Sequence, residues 1–291
     1  MEDFDFNSLD KEVQVVLLLT NHKQIKVDKL YNMDMFGLPM KEYVKNCFKN
    51  APICEKEYDE QLDLLMQVKG CDLGDRKYTM VLFSDTPLLK RQTILEIIEY
   101  VKMKSLSVLK LTRGYVFETN YLKTIDKLYA PQLHYFDEED FMNCFDNKQL
   151  GLILDILRNR ILAFNMKKGV ILKSPETTRI DINASIESGV VIEANNTIKG
   201  KSIIETNSHL KENNVIENSV IKNNVTIENS TIKDSFIEEN CVVMPYCLIE
   251  NNSYLESGSK IDCFCKIDNA LIKKDSKLKS FSEMIGEDKW F

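Results

Sequence analysis

Residues 180–216 read IDINASIESGVVIEANNTIKGKSIIETNSHLKENNVI. An aliphatic residue returns at Ile180, Ile186, Ile192, Ile198, Ile204, Leu210 and Ile216. The beat continues through Ile221, Ile227, Ile232, Ile237, Val243, Ile249, Leu255, Ile261, Ile267, Ile272 and Leu278. The interval is six residues, shortened to five at four steps. An amphipathic helix needs apolar returns every three to four residues, and a half-buried strand every two. A fixed six fits a short strand and a turn repeated on the faces of a triangular coil, the hexapeptide β-helix pattern.

Four residues after these aliphatics the chain often places something small, among them Ala184, Ser202, Ser208, Cys241, Cys247, Ser253, Ser259 and Cys265. A narrow interior leaves only small gaps beside its large side chains. The intervening turns are rich in asparagine, including Asn195-Asn196, Asn213-Asn214, Asn223-Asn224 and Asn251-Asn252. Asparagine tolerates left-handed backbone angles and can form corners without glycine. At about eighteen residues per coil and about 4.8 Å per layer, the stretch predicts five to six coils in a prism roughly 25 Å long.

Working outward, the chain of 291 residues has room for two domains, and 44% hydrophobic content can fill their cores. No apolar run approaches the ~20 residues of a membrane span. The opening MEDFDFNSLD lacks the basic-then-apolar order of a signal peptide, so a cytoplasmic protein is expected. Net charge −7 without a basic cluster argues against nucleic acid as a partner. Eight cysteines without a CxxC pair argue against a cysteine metal site, and Cys241, Cys247 and Cys265 fit as small interior residues.

Ahead of the coil, VQVVLLL (13–19) and YTMVLF (78–83) predict buried strands, and Val108–Leu111 and Tyr115–Phe117 shorter ones. Helices are expected over 38–50, 55–68 and 91–103. Strands alternating with helices predict an open α/β sheet, with ligands beyond the strand C-termini, where His22 and Asp85 fall. Residues 134–147 are irregular. Leu150, Ile153, Leu154, Leu157, Ile161 and Leu162 then mark a connecting helix over 148–168, stopped at Gly169. The expected division is an α/β domain over 1–147, this helix, and a β-helix over 169–291 capped by its last residues, with Trp290 and Phe291 as plugs against exposed coil edges.

This order resembles the sugar-nucleotide pyrophosphorylases, above all the bacterial bifunctional N-acetylglucosamine-1-phosphate uridyltransferase/glucosamine-1-phosphate acetyltransferases (GlmU). The resemblance is carried by GLPMKEYV (37–44), like the family's GKPMxEYV, and by VLFSDTPLL (81–89), like its VLYGDTPLL. PETTRID (175–181) is like its DPxTTxID, Met244-Pro245-Tyr246 like its GPF, and Ser276-Lys277 with Ile285-Gly286 like its GSK and YIGD. The resemblance implies a reduced Rossmann-like nucleotidyltransferase domain ahead of a left-handed β-helix that forms a homotrimer. It places Asp85 at the metal-binding aspartate and Asp146 near the second Mg²⁺ ligand. Lys29 falls near the phosphate-binding lysine, with Lys23 and Gly37 beside the nucleotide.

Several of the family's working residues are replaced. Its glycine-rich loop, LxxGxGTRM, offers backbone N–H groups to the triphosphate. Here that loop is Thr20-Asn21-His22-Lys23-Gln24. The base-reading Q–GTxHA has no counterpart over 51–78, and most of the sugar-binding lobe is missing between Thr112 and Gly114. Glu250 and Asp268 stand at two basic acetyltransferase positions, and Ser280 at the catalytic histidine. A serine unaided cannot serve as the general base. The chain ends where the family continues for several coils.

Three readings follow. The first is a catalytically silent GlmU-like pseudoenzyme that binds, regulates or assembles with a paralogous or other protein. The second is a working UDP-N-acetylglucosamine pyrophosphorylase type of nucleotidyltransferase using Asp85, Asp146, Mg²⁺ and Lys29 or Lys23. The third is a hexapeptide acyltransferase using His209, although that residue precedes the core Leu210 and is expected to face outward. His22 and His134 have no evident partners in the sequence.

Overall fold

The computed structural model describes residues 6–128 and 131–286. The chain forms two compact units, Met1–Ile156 and Leu157–Phe291. The first contains the strands β1 (Val13–Leu19), β2 (Ile53–Glu57), β3 (Tyr78–Phe83), β4 (Val108–Leu111), β5 (Gly114–Glu118) and β6 (Gln132–Leu133). Its helices are α1 (Phe6–Glu12), α2 (Met40–Lys45), α3 (Leu64–Lys69), α4 (Arg91–Lys104) and α5 (Thr119–Thr124). A sixth, α6 (Asn147–Lys167), carries the division between the units.

The six strands form one sheet in the order β2-β1-β3-β5-β4-β6. β1 is parallel to β2 and β3, whereas β5 is antiparallel to β3 and β4. Every residue of β1 and β3 is buried, as their uninterrupted apolar runs require of central strands. Because Leu18 lies opposite Phe83, the two strands end side by side, and the loops after them share one end of the sheet.

Helix was expected throughout 55–68, but part of that stretch is strand. Ile53–Glu57 pairs along β1 from Val15 to Leu19, and α3 begins only at Leu64. Pairing with a completed neighbour overrides a charged segment's local preference. The helix start is nevertheless written in the sequence, since the Asp63 side chain accepts from Met66 N–H at 3.0 Å.

The second unit is a parallel coil. Its three sheets contain seven, seven and six strands. One face stacks Ile180, Ile198, Ile216, Ile232, Ile249 and Ile267, and another stacks Ile186, Ile204, Ile221, Ile237, Leu255 and Ile272. The third stacks Ile192, Leu210, Ile227, Val243, Ile261 and Leu278. The coil extends past the predicted stretch at both ends, through Ile171–Leu172 and Glu283–Ile285. Trp290 and Phe291 lie outside the described residues. Among the described residues no helix is long and apolar enough to cross a membrane.

The corners explain the two step lengths. In most six-residue steps the left-handed residue stands three after the aliphatic, as at Asn195, Asn207, Asn213, Asn224 and Asn240. In the five-residue steps it stands two after, at Asn218, Asn229, Asp234 and Asn269. The asparagine pairs are not equivalent. Asn195 and Asn213 form corners, whereas Asn196 and Asn214 are buried inside. Asn214 Nδ2 donates to Asn196 Oδ1 at 3.0 Å and to the Lys211 carbonyl at 2.8 Å, and its Oδ1 accepts from Ser230 N–H at 3.0 Å. Further along the same interior row, Cys247 and Cys265 are buried, and their thiols donate to the carbonyls of Asp262 and Lys279.

Candidate functional site

The loops that follow β1 and β2 enclose a cleft of about 490 Å³. Its walls include His22, Lys23, Glu57, Tyr58, Asp59 and Glu60. Three acidic residues, one lysine and one histidine therefore line it. Glu57 accepts from the Tyr31 hydroxyl at 2.8 Å, and that bond raises the tyrosine pKa. Asp59 Oδ1 accepts from Gln61 N–H at 2.9 Å, so the acidic turn holds its own shape.

Beside the cleft, Asp85 follows β3 and its side chain is completely buried. Arg113 grips it with Nη2 at 2.6 Å from Oδ2 and Nε at 3.2 Å from Oδ1. His22 Nε2 lies 2.7 Å from the same Oδ2. Arg113 belongs to the two-residue turn between β4 and β5, and its guanidinium sits 4.0 Å above the Phe83 ring. Gly114, directly after it, has φ of +130°, and a Cβ there would meet the Val81 carbonyl oxygen at 2.4 Å. Glycine thus lets the hairpin approach β3 closely enough for Arg113 to reach Asp85.

The predicted site residues are only partly brought together. His22 and Asp85 meet beyond the strand ends, so His22 does have a partner. His134 has one too, since it stacks on Tyr100 with centroids 4.1 Å apart. Lys23 lines the cleft; Lys29 and Gly37 are not among its walls. Lys29 heads a short 3-10 turn at φ 52°, and Gly37, at φ 86°, donates its N–H to Asp34 Oδ1. Asp146 caps α6 by accepting from Gln149 N–H at 2.7 Å. Burial first, then the charges of Asp85 and Asp146, push the Cys144 thiol up to about 12. No motif marks Arg113 in the sequence, where it sits at the point at which the sugar-binding lobe of the resembled family is cut away. Its signal is an arginine at a tight hairpin followed by glycine.

On the coil, His209 does face outward, with Nε2 2.7 Å from Glu193 Oε1. Lys173 reaches the same oxygen at 2.7 Å. Lys173 foremost, with His209 second, holds the Glu193 carboxyl down to about 2. Glu250 and Asp268 are register partners on adjacent coils, and Ser280 is exposed.

Residues 203–290 match the family described as GlmU-like, C-terminal hexapeptide. A bifunctional protein GlmU from Rippkaea orientalis is 32% identical over 165 residues, covering 56% of this chain and 36% of that protein. Another from Cyanothece sp. is 37% identical over 142 residues, covering 49% and 30%. The chain thus spans about a third of the length of the curated relatives it matches. A perosamine N-acetyltransferase structure from Caulobacter crescentus covers 94% of this chain and 93% of its own at 12% identity, but its TM-score of 0.36 is too low to bear on fold or function. In sequence the chain is GlmU-like: its parallel hexapeptide coil matches the GlmU C-terminal hexapeptide family over 203–290, and distant GlmU relatives match about half of its length.

Proposed function

We propose that this GlmU-like chain performs neither uridyl nor acetyl transfer and acts as a binding or assembly protein. The observation that carries the reading is the charge of the cleft, where Glu57, Asp59 and Glu60 outnumber Lys23. A nucleoside triphosphate brings several negative charges that must be met by N–H groups, cations or a metal. A loop without glycine and a wall with three carboxylates oppose that requirement. The acidic pair Glu250 and Asp268 does the same on the coil. The coil surface is then the expected meeting place for further copies, as a homotrimer, or for a paralogous protein.

Thermal melting with UTP, UDP-N-acetylglucosamine or acetyl-CoA in Mg²⁺ tests the reading. A ligand at a hundred times its Kd stabilises the folded state by about 2.7 kcal/mol. No shift is expected with any of the three. An upward shift with UTP would instead support a working nucleotidyltransferase. The pairing of His209 with Glu193 favours one second reading, acyl transfer with His209 as base. A shift with acetyl-CoA that His209→Ala abolishes would establish it. Light scattering checks the homotrimer, and a monomer at micromolar concentration would remove it.

A further inference from the structure

The resemblance puts a divalent metal ion on Asp85, and the residues around that carboxylate do not fit one. Mg²⁺ demands near-ideal octahedral oxygen coordination, usually keeps several waters, and needs a carboxylate lone pair facing open space. The Asp85 side chain has no exposed surface. A carboxylate offers about four lone-pair positions. Arg113 takes one on each oxygen, and His22 approaches Oδ2 as well. Asp146 Oδ1 is engaged by a helix N–H.

We infer that Arg113 is a resident cation that replaces the divalent ion at Asp85, so that this end of the sheet is built, and binds whatever it binds, without metal. The two-pronged contact has the geometry that makes arginine a strong partner for carboxylate. It is also held from behind, by Phe83 against the guanidinium and by Gly114 against the Val81 carbonyl. A flexible surface arginine would give way to a doubly charged ion. One clamped over an aromatic ring on a tight hairpin, with its partner fully buried, holds its place against the ion. The inference deepens the reading of the cleft but does not stand or fall with it, because it concerns metal in the absence of nucleotide.

The test is Mn²⁺ titration of the full chain without nucleotide, followed through the histidine ring protons by NMR. Three histidines keep the spectrum simple, and His22→Gln assigns the signal of interest. A paramagnetic ion on Asp85 would sit against the His22 ring and broaden its signals away. The expected result is that His22 keeps its linewidth, or that any broadening persists unchanged in Asp85→Asn and so arises from Glu57, Asp59 and Glu60. Broadening that Asp85→Asn removes would overturn the inference. In Arg113→Ala, Asp85-dependent broadening is expected to appear. A folded Arg113→Ala chain as blind to Mn²⁺ as the wild type would remove the guanidinium as the reason. If Arg113→Ala fails to fold, the comparison of wild type with Asp85→Asn still decides. Failure of the silent-enzyme reading would show separately, as a melting shift with UTP.

Discussion

Asn213 and Asn214 are identical neighbours in sequence, yet replacing each with alanine should have different consequences. At Asn213 the side chain is exposed and the backbone is left-handed, φ 60°. Alanine there would incur the left-handed penalty, about 1–2 kcal/mol. At Asn214 the backbone poses no such problem, but the amide is buried and makes three bonds of 3.0 Å or less, to Asn196, Lys211 and Ser230, with the Ile227 carbonyl a further partner at 3.3 Å. At a net of about 1 kcal/mol each they sum to about 3 kcal/mol. The Ser230 N–H, which loses its acceptor, adds a desolvation penalty, bringing Asn214→Ala to about 3–5 kcal/mol. The Lys211 carbonyl and Asn196 Oδ1 keep bonds from Asn196 Nδ2 and the residue-214 backbone N–H. Chemical denaturation of each variant measures the totals. Because a stacked coil opens near the damaged layer, amide exchange at Ser230 gives the local readout. Its protection should fall far more in Asn214→Ala than in Asn213→Ala. Equal or reversed costs would refute the assignment of one asparagine to the corner and the other to the interior.

The remaining predictions concern charge and thiols. Glu193 titrates near 2 in the folded coil against an ordinary value of 4.5, so its stabilisation is full above about 4.5 and is lost as pH falls toward about 2. The melting temperature of the wild type should exceed that of Glu193→Gln near neutral pH, with the gap closing through that window; a gap that is constant with pH contradicts the pairing with Lys173 and His209. Burial raises the Cys247 thiol to about 11 and the Cys144 thiol to about 12. At pH 8 roughly one Cys247 in a thousand is thiolate. Alkylation followed by mass spectrometry should therefore label the partly exposed Cys54 and Cys263 well before Cys144 and Cys247. In Ile216→Ala, which empties an interior position, a loss of about 2–5 kcal/mol is expected in denaturant unfolding.

Sequence alone determined the repeating part of this protein. A six-residue beat of aliphatics states which residue enters the interior at every step, because each coil meets only its neighbours and obeys a local rule. The buried runs of β1 and β3 were legible for the same reason, as was the likeness to GlmU. Only the tertiary structure decided what depends on distant partners. Residues 53–57 are a strand because β1 is there to pair with. Asn214 lies inside and Asn213 outside because the left-handed corner falls on the first of the pair. At the sheet end, Asp85 and Arg113 are joined by a hairpin that folds back antiparallel to β3 over a glycine. No spacing along the chain announces that contact, yet it sets the charge around the buried aspartate.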